Sequence, residues 1–390
     1  MRGRDELTKT AAGLFAGIGG LEVGLARSGW ETALLCEIEP SARAVLRHRM
    51  PDVELHENVV KLRGLPKDVD LVAAGFPCQD LSQAGRTQGI TGAQSGLVGE
   101  VFRLIKRKNG PRWLLLENVS FMLQLDRGEA MRHLTASLND MGYRWAYRVV
   151  DARAFGLPQR RHRVIMLASR TEDPRPVLFG QDAGAPPEHE NPADYPCGFY
   201  WTEGVRGLGW AVDAVPTIKG GSALGIASPP AVWLKSGEIV TPGIVDAERL
   251  QGFDAGWTEP AREVSPREGH RWKLVGNAVS TRMSEWVGSR LDTPASDPWA
   301  ESTPLKVGDK WPRAAWGDAS GTYTVAASMW PVRDPYEHLE GFLQNTKPLS
   351  ARAAAGFLNR ARAGSLRFVP GFLDDVAAHQ ARMAAAQAVA

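Results

Sequence analysis

Short apolar runs alternate with helical stretches from residue 10 to about residue 170, and this alternation is what most narrows the folds open to the chain. Thr10–Phe15, Glu31–Glu37, Val53–Asn58, Val69–Gly75 and Arg112–Glu117 read as strands. Trp113-Leu114-Leu115-Leu116 has no polar face, and continuous apolar runs belong to central strands covered on both sides. Helices fit Leu21–Ser28, Pro40–Arg49, Glu100–Lys108 and Gly128–Met141. Pro40 suits a first helical turn, and Gly142 a helix end. Tyr143–Asp151 and Arg163–Ala168 follow close together and are expected to form an antiparallel edge pair. The pattern predicts an α/β domain on a doubly wound sheet.

Beyond Arg170 the texture changes. To about Glu268 the chain is rich in Pro, Gly and Trp without a sustained helical period, which reads as a separate irregular unit with short strands. A helix returns at Met283–Leu291. Trp299–Pro335 is again Pro- and Trp-rich, and two or three Ala/Arg/Leu-rich helices run to the terminus. The expected division is one domain from residues 1–170 together with 269–291, a second at 171–268, and a helical C-terminal extension at 292–390. A chain of 390 residues is long enough for two or three such units.

No apolar stretch is long enough to span a bilayer and no charged-then-apolar leader stands at the start, so a cytoplasmic location is expected. The three cysteines, Cys36, Cys78 and Cys197, lie far apart, which disfavours a disulfide framework or a Cys-rich zinc site. The eight histidines show no HExxH or His/Cys cluster, so no metal is expected. With a net charge of only +2, a nucleic-acid partner would be held by local basic patches.

Several constellations carry chemistry. Cys78 stands just past the Asp70–Gly75 run, within Gly75-Phe76-Pro77-Cys78-Gln79-Asp80. Ligands of open α/β sheets bind beyond the carboxyl ends of strands, which makes this thiol a candidate nucleophile; on this ground alone a buried core cysteine is an equal alternative. Phe15-Ala16-Gly17-Ile18-Gly19-Gly20 follows the first strand, where glycines permit a tight turn and close backbone approach to a ligand. Glu37 ends the next strand about 20 residues on, the place of a ribose-binding carboxylate. Together these read as a nucleoside-cofactor site, although the spacing is not GxGxxG. Glu117-Asn118-Val119 ends another strand, and its carboxylate points into the crevice of Cys78 if the strands are neighbours; otherwise it is a solvated loop acid.

Pro158-Gln159-Arg160-Arg161-His162-Arg163 suits phosphate and base-edge contacts, or is a solvated basic turn. Arg103, Lys106, Arg107 and Lys108 read as an ordinary exposed helix face. Asn277, in Gly276-Asn277-Ala278-Val279-Ser280, fits a helix N-cap. Neither a zinc-deaminase signature nor a Gly-x-Ser-x-Gly elbow is present.

In their order these motifs resemble the DNA cytosine-5 methyltransferases of bacterial restriction–modification systems. The matching set is FxGxGG at Phe15–Gly20, the acid Glu37, PCQ at Pro77–Gln79, ENV at Glu117–Val119, QxRxR at Gln159–Arg163, RLxGF at Arg249–Phe253 and GNxV at Gly276–Val279, over roughly residues 10–291. The resemblance implies a Rossmann-like S-adenosylmethionine-dependent domain with a smaller target-recognition domain. Cytosine C5 is too weak a nucleophile to take a methyl group directly, whereas addition of a thiolate to C6 turns it into an enamine carbon. The resemblance makes Cys78 that thiolate, has Glu117 hydrogen-bond or protonate N3, and has Arg161 and Arg163 hold the base and its phosphates. Nearby arginines would raise the thiolate fraction. The target base must leave the stack, and Asp80–Gly96 resembles the family's mobile loop that closes over it.

For the cofactor, the resemblance has Phe15 stack on adenine and Gly17 and Gly19 approach the methionine end, with Ala16, Ile18, Gly20 and Leu21 completing that turn. It has Glu37, followed by Ile38, take the ribose. Asn58-Val59 stands where the family often has Asp-Ile for the adenine amino group, and an amide oxygen can still accept that bond. Pro77, Asn277, Ala278 and Val279 would complete the pocket. Double-stranded DNA is the implied partner, read in the major groove by residues 171–268. Gln79, Ser82, Gln159, Arg160, Thr217, Lys219 and Gly220, with Gly221, are the implied DNA contacts. A cognate restriction endonuclease would share the site without being bound, and a monomer is expected. Other readings are a tRNA cytosine methyltransferase, a non-catalytic DNA-binding relative and use of an altered methyl donor. Residues 292–390 would support DNA binding or dimerisation, or act as a stabilising cover.

Overall fold

Five strands pair in parallel at one end of one sheet: β1 (Thr10–Leu14), β2 (Glu31–Cys36), β3 (Glu54–His56), β4 (Leu71–Ala74) and β5 (Trp113–Val119), in the order β3-β2-β1-β4-β5 with β3 at the edge. From β1 the chain winds outward to β2 and β3, then returns to lay β4 on the other side of β1. The reversal opens a crevice beyond the ends of β1 and β4, the position where open α/β sheets bind ligands. β1 and β4 are buried along their whole length, as their continuous apolar sequence requires. The computed structural model describes residues 9–76, 96–107, 110–186, 188–189, 191–221, 227–295, 301–306 and 308–389.

These residues form two units. The first takes the chain through residue 155, then 162–186 and 278–333; the second takes 156–161, 187–277 and 334–390. The stretch from 292 to the C-terminus is thus divided between them, and it contributes strands as well as helices.

In the first unit β6 (Arg144–Asp151) and β8 (His162–Ser169) are antiparallel partners, with β8 lying between β5 and β6. They are not at the edge expected from the sequence. The hairpin β15 (Ala314–Asp318) and β16 (Gly321–Val325) pairs onto β6, and β14 (Ser302–Pro304) onto β16, so ten strands form one sheet. This explains why seven of the eight residues of β6 are buried, which an edge strand would not need. Trp311 packs against Trp145 and Tyr147 and donates its Nε1–H to the Gly128 carbonyl at 3.0 Å.

Helix Gly20–Arg27 lies against helix Thr281–Asp292. Gly20 makes this approach possible, because a methyl group there would overlap the Val279 carbonyl, and Ser284 Oγ donates to the Gly20 carbonyl at 3.0 Å.

The second unit holds a two-stranded parallel pair, β7 (Gln159–Arg160) with β11 (Val215–Pro216), and an antiparallel sheet. That sheet runs β10 (Ala211–Val212), β9 (Cys197–Phe199), β12 (Ala231–Trp233), β13 (Ile239–Pro242) and β17 (Thr346–Pro348). Helices Ala351–Ala363 and Phe372–Val389 supply Phe357 and Phe372, fully buried against Phe199, and Phe372 is also close to Trp210 and Trp233. His379 fixes the last helix, accepting from the Ile239 amide at Nδ1 and donating from Nε2 to the Leu349 carbonyl. Helix Glu268–Asn277, hidden in sequence by its polar composition, ends at Asn277. Asn277 is therefore a helix terminus and not the N-cap of the next helix, a place that Ser280 takes. No helix among the described residues is long and apolar enough to cross a membrane.

Candidate active site

The turn after β1 holds backbone that ordinary residues avoid. Phe15 has φ +56°, Gly17 +58° and Gly19 +87°. A left-handed bulky residue costs on the order of 1–2 kcal/mol and persists where the surroundings impose it, commonly at ligand sites. The turn is tied to β2 by Ala16 N–H to the Cys36 carbonyl at 3.1 Å, and to Glu37 by Gly17 N–H to Oε2 at 2.7 Å. The other Glu37 oxygen accepts from the Glu39 amide at 2.7 Å. Burial raises the Glu37 carboxyl above the ordinary carboxylate range, and these amides act against that rise. A Cβ placed on Gly17 would meet nothing within 4 Å, so the turn faces open space on that side.

Two large apolar residues stand exposed beyond the neighbouring strands β2 and β3: Ile38 at 66% and Val60 at 58%. Asn58 caps the one-turn helix Val59–Lys61, its side-chain oxygen accepting from the Val60 amide at 2.9 Å. Val59, the residue singled out in sequence, is buried; Val60 is the one presented.

At the end of β5, Arg163 Nε lies 2.8 Å from Glu117 Oε1, and both side chains are almost wholly buried. The antiparallel register of β5 and β8 sets this pair, since Glu117 stands two residues from Val119, which faces Arg163. Gly75, just past β4, would place a Cβ 3.6 Å from Glu117 Oε2 and 3.8 Å from Val279 Cγ2. Asn118 Nδ2 donates to the Phe76 carbonyl at 2.9 Å, fixing the chain where it leaves β4. The next stretch, 77–95, with Pro77, Cys78, Gln79, Ser82 and all but the last residue of the Asp80–Gly96 loop, lies outside the described residues.

The C-5 cytosine-specific DNA methylase family matches residues 10–195. Over 360 residues the chain is 52% identical to the type II methyltransferase M2.BsuMI of Bacillus subtilis (strain 168), covering 89% of this chain and 92% of that protein. The chain belongs to the DNA cytosine-5 methyltransferases of bacterial restriction–modification systems. A more local likeness links it to the type II methyltransferase M.Eco47II of Escherichia coli, 36% identical over 167 residues, or 42% of this chain and 40% of that one. The solved structure of S. pombe Dnmt2 methyltransferase matches 72% of this chain and 98% of its own with a TM-score of 0.51 at 15% identity, a likeness of fold. The fold is the α/β Rossmann-like one of these enzymes.

Enzymes of this family take their methyl group from S-adenosylmethionine, and the first unit of the methyltransferase fits such a molecule. It offers a strained glycine turn open on one face, a carboxylate held by two amides, and two exposed apolar side chains beyond adjacent strands.

The second unit gathers other predicted residues. Gln159 is fully buried: its amide nitrogen donates to the Leu250 carbonyl at 2.8 Å, and its oxygen accepts from the Ile218 amide at 3.0 Å. It organises the basic motif from inside and has no face for DNA. Arg161 is likewise fully buried, with Nη2 3.3 Å from the Gly276 carbonyl and Nη1 3.5 Å from that of Ile218. Thr217 Oγ1 donates to the Arg160 carbonyl at 2.9 Å, joining the two predicted contact segments. Lys219 is exposed, sits 3.7 Å over the Tyr200 ring and pairs with Glu203 at 2.7 Å. Gly220 would place a Cβ 3.2 Å from Asn277 Oδ1.

Sequence reasoning missed Val60, the tether from Asn118 to Phe76, and exposed Phe121 just beyond Glu117-Asn118-Val119. Exposure of an apolar residue leaves no mark in sequence, but Asn118 belongs to a motif already singled out for its neighbour.

Proposed function

We propose that the methyltransferase methylates C5 of a cytosine in a specific double-stranded DNA sequence, after that base has left the duplex, through a transient bond between Cys78 Sγ and cytosine C6. The observation that carries the proposal is the buried Glu117–Arg163 pair beside Gly75, from which the chain runs directly to Cys78. A carboxyl buried at a strand end and pinned by a guanidinium is placed for proton work on a ring nitrogen.

In the proposed sequence the Cys78 thiolate forms the bond to C6 while Glu117 delivers a proton toward N3, leaving electron density on C5. Arg163 keeps the Glu117 carboxyl oriented through the transfer. S-adenosylmethionine, when bound, supplies the electrophilic methyl group that C5 attacks. A base, water included, then takes the C5 proton as the Sγ–C6 bond breaks and its electrons return to Cys78, and N3 gives its proton back to Glu117, which frees the methylated base and restores the protein. Phe15 and exposed Ile38 and Val60 flank the adenine, Gly17 and Gly19 lie along the methionine end, and Glu37 accepts from the ribose. In the second unit Arg160, Thr217, Lys219 and Gly220 contact DNA, and Arg161 holds the loop carbonyls of Ile218 and Gly276. The biological role is to protect the cell's DNA, in the cytoplasm, against an endonuclease that reads the same site.

Expression in a host lacking cytosine methylation, followed by bisulfite sequencing, tests this. A single methylated motif is the expected result. Unmodified DNA with methyl transfer to tRNA overturns the choice of substrate, and methylation by Cys78→Ser overturns the covalent step.

A further inference from the structure

Glu22 stands in the first turn of helix Gly20–Arg27, directly behind the glycine turn, and its side chain is buried with the residue only 1% exposed. Its carboxyl reaches back to β1, where Gly13 makes room: a methyl at Gly13 would overlap Glu22 Oε1. Neither carboxyl oxygen has a hydrogen-bond partner among the described residues, the pull of its own backbone amide aside. A buried, unpartnered carboxyl is costly, and this one is accommodated by a residue with no side chain.

The charged groups on the elements around this helix do not compensate it. Glu285 and Arg27 face each other, Lys9 pairs with Asp292, Arg282 donates to the Phe155 carbonyl, and Arg112 pairs with Asp70 at the start of β4. Arg290 is on the same helix as Glu285. Burial pushes Glu22 up to about 7, and the nearby carboxyl of Glu37 adds to the rise; no cation among the described residues offsets it. Glu22, buried behind the turn, and Glu37, bonded to its Gly17 amide, therefore resist ionising together. The methyl donor assigned to it under the proposed function carries a sulfonium charge, which its demethylated product lacks.

We propose that Glu22 is a buried charge-compensating carboxyl for the cationic methyl donor, neutral while no cation is bound and ionised when the sulfonium arrives. On donor binding the Glu22 O–H bond breaks and the proton passes to solvent. After methyl transfer the product has lost that charge, Glu22 takes a proton back, and the product is held less firmly than the donor. This rests on the assignment of the glycine turn to S-adenosylmethionine.

The test is titration calorimetry of the full-length protein with S-adenosylmethionine and, separately, S-adenosylhomocysteine, in buffers of different ionisation enthalpy. From a starting value near 7, donor binding should release about half a proton at pH 7 and close to one at pH 6, with little release on binding the product. Glu22→Gln, neutral and of the same shape, should bind the donor without releasing a proton and should lose several-fold of the preference for donor over product. An infrared difference spectrum of the unaltered protein should lose a protonated-carboxyl band when the donor is added. Donor binding without proton release, or release that persists in Glu22→Gln, overturns the inference and leaves the cofactor assignment standing. Failure of the unaltered protein to bind the donor removes both.

Discussion

Arg163 Nε meets Glu117 Oε1 at 2.8 Å in a setting almost closed to water, and one strand register fixes both partners. Removing one member takes this ion pair from the other, which stays buried, a loss of about 3–5 kcal/mol. Arg163→Ala should therefore lower both the unfolding temperature and methyl transfer. Glu117→Gln keeps the shape and removes the proton donor, so kcat should fall about 10²- to 10⁴-fold with DNA affinity little changed. Arg163→Lys keeps the charge without the planar fork and should fall between wild type and Arg163→Ala. Single-turnover methyl transfer and DNA binding, measured together, check this series. Equal kcat in Glu117→Gln and wild type would remove the proton role.

The glycines of the turn do different work, and two substitutions separate them. Gly17 has φ +58° beside open space, so Gly17→Ala strains the backbone by about 1 kcal/mol and projects a methyl into the face assigned to the donor. Donor affinity should fall, with a small drop in melting temperature. Gly20→Ala would press on the Val279 carbonyl and force two packed helices apart, a change of about 1–3 kcal/mol. Its main effect should be on thermal unfolding. Calorimetric Kd and melting curves for both variants decide the matter, and the reverse assignment of effects would refute it.

The strands of the central sheet were legible because burial on both faces leaves continuous apolar runs, as at Trp113–Leu116. Glu117, Glu37 and the glycine turn were legible because each follows such a run. The hairpin Ala314–Val325 was not: it alternates small, polar and aromatic residues within a Pro/Trp-rich stretch, and its strand character comes from docking on β6. Gln159 looked like a DNA contact because its neighbours are arginines, and only the chain's return at Ile218 and Leu250 shows that it is enclosed. Nothing in the sequence marks Glu22 out. Its burial depends on Gly13, nine positions earlier and on another element.

Residues 334–390 cover the small sheet, and their removal should unfold the second unit and not merely weaken DNA binding. Phe372 and Phe357 are fully buried against Phe199, so Phe372→Ala should cost about 3–5 kcal/mol. Truncation after Arg333 exposes the edge of β13 and that aromatic cluster together, and the product should be insoluble. Truncation after Asp292 also strips the hairpin from β6. A soluble truncate at Arg333 with native circular dichroism would show that the cover is dispensable.

Stability should carry the signature of Glu22. Its carboxyl is raised from 4.5 to about 7 in the folded protein, so the folded state holds this proton more tightly than the unfolded chain does. The favourable contribution is complete below about pH 4.5 and is lost as the pH rises through about 7, after which the carboxylate is buried and charged. The full loss is at most about 3 kcal/mol. Other carboxyls shift the acid side of the profile in the opposite sense; Asp151, although burial raises it, is held low by bonds from His162 and Arg153. The readout is therefore the difference between variant and wild type. Glu22→Gln cannot ionise, so its melting temperature should exceed that of wild type at pH 8 and converge on it near pH 5. A difference that stays constant across that range would mean that Glu22 titrates as an ordinary surface acid.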